Sequence, residues 1–221
     1  MCYSIESSAK TTIYSFIAIA TLLQSGVPHF QWIAMSLVGW CGMQFAELLL
    51  WLTNPRKSCT PMNKLITLTL IPLVLFLQVF GTILGSFFVK PWNECSKSRK
   101  SFIMWYSIVT LVILLPYFYG NLNELCTIVT KGGHLNWWPS SYVLSYFYFI
   151  WAIMILIPVF ALWNTSYKIF IALWVFSVFG FYYGLTTDSK GSVWCYYTSF
   201  MSLMAIILYG LYKLKVYNIL A

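Results

Sequence analysis

Charge is what this sequence has least of. Thirteen Lys plus Arg and five Asp plus Glu make up 8% of its 221 residues, against about a quarter in a typical soluble chain. Too few polar groups remain to coat a water-facing surface. That excludes an ordinary aqueous enzyme, a soluble nucleic-acid binder and a disordered regulator. Acids are scarcest of all, and the resulting formal charge of +8 invites a nucleic-acid reading. The cations, however, are spread between apolar runs rather than gathered on one element. A membrane surface is therefore the better partner, and no nucleic acid is expected. The chain also lacks any repeat of fixed period and any low-complexity tail.

What it has instead is apolar and aromatic, at 60% and 20% of residues. A bilayer-spanning helix takes roughly 20 mostly apolar residues, and seven such stretches are legible: 11–25, 30–52, 65–88, 102–119, 142–163, 169–185 and 193–212. Each has to be helical, because a spanning segment must satisfy its backbone hydrogen bonds internally. Barrel strands would alternate in polarity every second residue, and these runs do not. The expectation is an all-α, polytopic integral membrane bundle of seven transmembrane helices, one transmembrane domain over 1–221. Pro28, Pro55, Pro61 and Pro91 mark helix ends, whereas Pro72, Pro116 and Pro158 fall inside runs and predict kinks. Trp137-Trp138, Trp194 and Tyr196-Tyr197 crowd run ends like an interfacial aromatic belt. The short first stretch has no small-residue cleavage site after it and reads as a retained helix.

Seven spans place Lys10, Arg56, Lys57, Lys64, Lys131 and Lys190 on the amino-terminal side, and Lys90, Lys97, Arg99, Lys100, Lys168, Lys213 and Lys215 on the other. The cluster from Lys90 to Lys100 and the basic carboxyl end favour an outside amino terminus and a cytoplasmic carboxyl terminus. The lipid bilayer is the expected partner, with a homo-oligomer as a further expectation.

Glu47 is the sharpest feature, the only acid inside an apolar stretch. A charge at bilayer depth is costly, so this carboxyl should face the protein interior and have a partner. Gln44 and Trp51 share its helix face at i−3 and i+4. The bland alternative is a neutral, buried carboxyl hydrogen-bonded to a neighbouring helix. Glu47 falls roughly 9 Å below the amino-terminal surface, counting 1.5 Å per residue. That side also collects Cys2, Ser4, His134 and Cys195. Cys2, Glu47, His134 and Cys195 converging there form a candidate site for a divalent metal such as zinc. Each has a structural alternative: Cys195 as packing, His134 as a headgroup-level residue, and Cys2 in a disulfide with Cys195, Cys59 or Cys126. Cys41 and Cys95 read as free thiols, and His29 lies on the other side. Six cysteines leave the pairing open.

These residues resemble a family of seven-helix membrane proteins of unknown function with bacterial and giant-virus members. Its members open with Met-Cys-aromatic-Ser and carry a Gln-x-x-Glu-x-x-x-Trp segment, a His between helices, and an aromatic-Cys-aromatic step entering the last helix. The matching residues are Met1-Cys2-Tyr3-Ser4 with Ser8, Gln44 to Glu47 to Trp51, His134, and Trp194-Cys195-Tyr196. The chain departs from the family in its first connection, Ser25 to His29, which has no fixed charge where the family's is often basic. The resemblance implies the same seven-helix fold and directs attention to the same residues; it implies no activity.

Three function classes fit this pattern. One is a small transporter or channel for protons, cations or small solutes acting through Glu47. A second is an intramembrane enzyme, using a metal or the Cys2 thiol against a lipid-like substrate. The third is a ligand sensor or structural protein whose polar cluster only locks helices together. A retinal Schiff base is disfavoured, because no Lys lies mid-helix in the last stretch.

Overall fold

The protein, seen here in a computed structural model, is described over residues 4–120, 126–137, 144–162 and 190–215; within them the side chains of 114–120, 144–149, 190, 191, 195, 198 and 199 are set aside. The class is all-α, with one two-stranded hairpin. Helix α1 spans Ile5–Leu23 and α2 spans Pro28–Leu52. A continuous helix α3 covers Pro61–Val89, α4 Lys97–Gly120, α5 Leu144–Ala161 and α6 Lys190–Lys213. Strands β1 (Ile128–Val129) and β2 (Leu135–Asn136) pair antiparallel between α4 and α5. Six of the seven apolar stretches coincide with these helices; the stretch 169–185 lies outside the described residues. Among the described residues, two helices, α2 and α3, are long and apolar enough to cross a membrane.

Local chemistry explains the boundaries. Ser4 caps α1 by accepting the Ser7 N–H at 3.2 Å, as N-cap residues do. Pro28 and Pro61 open α2 and α3 at the first helical position, where a missing N–H leaves nothing unpaired. Helix α2 closes on Thr53, followed by Asn54 in the left-handed region at φ 57° and then by Pro55, which cannot continue it. Pro72 does not break α3. The turn before it, Ile66–Leu70, widens into a π-helix, with the Ile71 N–H reaching back to the Ile66 carbonyl. The wider turn makes room for the proline ring against the preceding carbonyls.

The tightest packing is between α2 and α3. A Cβ on Gly39 would stand 2.2 Å from the Gln78 backbone nitrogen, and one on Gly81 2.4 Å from the Met35 carbonyl oxygen. Only glycine allows so close a backbone approach. Trp32 Nε1 donates to the Thr82 carbonyl at 2.7 Å across the same interface. Helix α5 joins through Trp151, whose Nε1 donates to Gln78 Oε1 at 2.9 Å. On the other flank α1 and α6 cover α2. Phe30 packs against Tyr209 and Tyr212 and Trp40 meets Trp194 edge-on at 5.6 Å, so α6 runs antiparallel to α2.

Candidate functional site

The α1–α2 turn is tight, with Gly26 at φ 69°, and it sets a register between the two helices. Thr11 lies against Gln44, and the Cys41 thiol sits with the Ser15 and Ser202 hydroxyls. Continuing that register puts Ser8 level with Glu47 and Ser4 level with Trp51. The inward face of α1 is therefore polar in its first half (Ser8, Thr11, Thr12, Ser15) and apolar in its second (Ala18, Ile19, Leu22), all of them buried. On α2, Trp40, Gln44, Glu47 and Trp51 fall within about 60° of one another at 3.6 residues per turn, facing the same seam. A polar half of the α1–α2–α6 unit thus lies toward the end of α2 and the beginning of α6.

Glu47 and Gln44 are both completely buried. The Gln44 amide donates from Nε2 to Glu47 Oε2 at 3.5 Å, and its Oε1 stands 3.3 Å from Thr11 Oγ1. Thr11 has one hydroxyl proton, and its shortest contact, 2.6 Å to the Ser7 carbonyl, takes it best. An amide's two ends are nearly identical in shape and can be exchanged. Turned over, Gln44 donates to the Thr11 oxygen and offers its carbonyl to a protonated Glu47. Gln44 can therefore serve this carboxyl in either protonation state. Ser8 Oγ and Trp51 Nε1, a turn away on their helices, are buried without a hydrogen-bond partner among the described residues.

His134 reaches the same end of the molecule on the hairpin. Gly133, at φ 82°, lets the Thr130–His134 turn close, with the Thr130 N–H donating to the His134 carbonyl at 2.8 Å. Two fastenings hold the hairpin to the α2–α3 connection and the first turn of α3. Cys59 and Cys126 form a disulfide. Asn63, fully buried, acts like a peptide unit: its Oδ1 accepts the Thr127 N–H at 2.9 Å and its Nδ2 donates to the Thr127 carbonyl at 3.1 Å. The same amide also donates to Thr53 Oγ1 at 3.2 Å, tying the hairpin to the end of α2. Strand β2 packs against α6. His134 is 6% exposed, and burial, with the positive charge of the amino terminus second, holds its imidazole below the ordinary 6.5.

The expected residues therefore divide. Gln44, Glu47 and Trp51 share one buried face, and His134 sits on the hairpin fastened to that helix end. Cys195 belongs to the first turns of α6, beside buried Trp194, and its side chain lies outside the description, as does Cys2 altogether. Ser4 is an exposed helix cap. Among the described residues no group of three or more His, Cys, Asp or Glu is placed to hold a metal, so the expected set of four ligands rests on two side chains not described. Cys59 and Cys126 bond to each other, which removes both as partners for Cys2; Cys41 and Cys95 are free thiols, as expected. Sequence reasoning passed over Gln78, the polar face of α1 and Ser202. The i, i+3, i+4, i+7 spacing of Ser8, Thr11, Thr12 and Ser15 was the available signal, as was the Gly81-x-x-x-Gly85 pair for the α2–α3 contact. No protein-family description matches the chain, and no curated protein or solved structure matches it.

Proposed function

We propose that this chain is a multi-pass membrane protein of seven spans, amino terminus outside, and that Glu47 is the proton- or cation-handling group of a small transporter or channel. The membrane reading is supported by the outward face of α4, where Met104, Trp105, Ile108, Val109, Leu111 and Val112 are all exposed. An apolar surface of that extent suits lipid rather than water. The disulfide at the hairpin end supports an external amino-terminal side, since such bonds persist in oxidising compartments. The observation that carries the functional reading is the fully buried Glu47 beside an amide able to serve both of its protonation states. A carboxyl that can lose and regain a proton without losing its partner is what reversible uptake requires. Wild-type protein in liposomes should pass protons, cations or small solutes above empty vesicles, and Glu47→Gln should abolish that flux; equal flux in both sinks the proposal.

A second reading, an intramembrane enzyme dependent on a metal or cysteine, is favoured by one observation. Cys59 and Cys126 bond to each other, so Cys2 and Cys195 are the cysteines of the expected amino-terminal side that this bond does not use. A divalent metal such as zinc would then be held by Cys2, Glu47, His134 and Cys195 and would activate water. Stoichiometric metal in the purified protein, lost in Cys2→Ser and His134→Ala, supports this reading; metal-free wild type removes its metal form.

A further inference from the structure

The antiparallel register of α2 and α3, with Gly39 beside Gln78 and Gly85 beside Trp32, puts Val89 level with the start of α2. The link from Lys90 into α4 therefore lies at the end opposite His134. Four cations gather there: Lys90, Lys97, Arg99 and Lys100. Lys97, Arg99 and Lys100 occupy the first turn of α4, which has no acid in it. Helix dipoles disfavour cations at that position, and a local rule broken this way often marks a function. Ser96 Oγ accepts the Arg99 N–H at 3.2 Å, opening the helix toward the patch. Arg99 Nε is shielded from solvent with no acceptor among the described residues. Beside it stands Trp92, 48% exposed on the 3-10 turn Trp92–Glu94, with Lys100 Nζ 5.4 Å from its ring centre. Glu94 is the acid of this link, and it too is exposed.

We infer that this turn is a binding site for the phosphate headgroup of an anionic phospholipid. Phosphate supplies an acceptor for Arg99 Nε and a counter-charge for the lysines beside it. An exposed indole belongs at headgroup depth. The next turns of α4 present Met104, Trp105 and Ile108 outward, so acyl chains attached to that headgroup would have an apolar face to lie along. This favours a lipid over free phosphate. The inference rests on the membrane reading above.

The test uses full-length protein in nanodiscs of phosphatidylcholine doped with phosphatidylglycerol, with retained lipid counted by native mass spectrometry. Wild type should be enriched in phosphatidylglycerol. Lys90→Gln, which lies outside α4, and Arg99→Gln should each weaken retention about fivefold, the effect of one cation near an anionic surface. Arg99→Lys should keep most of it, and Lys57→Gln, at the opposite end, all of it. Equal retention of both lipids by wild type, or undiminished retention in Arg99→Gln, overturns the site. Displacement by millimolar inorganic phosphate reassigns it to a free anion and overturns the lipid claim. Release of the chain by alkaline carbonate would instead defeat the membrane reading, a separate result.

Discussion

Glu47 combines an ionisable group with complete burial and an adaptable neighbour. Its amide partner Gln44 lies on the same helix, and an i, i+3 side-chain pair is worth only about 0.2–0.5 kcal/mol, so removing the charge should cost little. Glu47→Gln is expected to stay folded, with a melting shift equivalent to less than about 2 kcal/mol, while flux disappears. A variant that loses flux only because it unfolds would show itself in the same melt. His134 gives a second residue-scale prediction. Burial depresses its imidazole in the folded state, so the unfolded chain binds the proton more readily below pH 6.5. Stability from this group is fully present above that pH and is lost as pH falls toward the folded-state value. Melts from pH 8 to pH 5 should show that decline in wild type and a smaller one in His134→Gln; identical slopes would show that the imidazole plays no part.

At the scale of elements, two contacts organise everything else. Gly39→Ala would force a methyl into the Gln78 backbone, so α2 and α3 must separate. Overpacking of this kind costs about 1–3 kcal/mol. Gly210→Ala meets nothing within 4 Å and should be neutral or slightly stabilising, since alanine favours helix; paired melts of the two variants check the contrast. The second contact is the Cys59–Cys126 bond, which joins residues 67 apart. A loop of that length implies about 4 kcal/mol of chain-entropy stabilisation. Cys59→Ser should lower the unfolding free energy by a comparable amount and loosen the hairpin; insensitivity to reductant in the wild type would deny the bond. Asn63→Ala attacks the same fastening without touching the disulfide and leaves the Thr127 N–H without its side-chain acceptor, so the two losses should be less than additive.

At the scale of the molecule, the helices were legible and the site only half so. Six apolar stretches turned out to be helices because long, mostly apolar runs leave the backbone few alternatives. Glu47, Gln44 and Trp51 could be placed on one face from spacing alone. His134 was assigned to the right end by counting spans, but nothing in its neighbourhood announced the Asn63 clamp or the disulfide that hold it there. Those links join residues about 60 apart in the chain, and no local pattern encodes them. Orientation is the prediction that belongs to the whole. A membrane-impermeant reductant followed by thiol labelling should reach Cys59 and Cys126 from outside intact cells; labelling only after permeabilisation would reverse the topology.

By itself the sequence determined that this chain is helical and apolar, with a single acid where acids are expensive, because hydrophobic run length and isolated charge are local properties. Only the tertiary structure decided which helices press together, that α1 lends its polar half to Glu47, and which cysteines bond. Those outcomes depend on register between distant segments, set by two glycines and one buried asparagine, and register is written in no single stretch of chain.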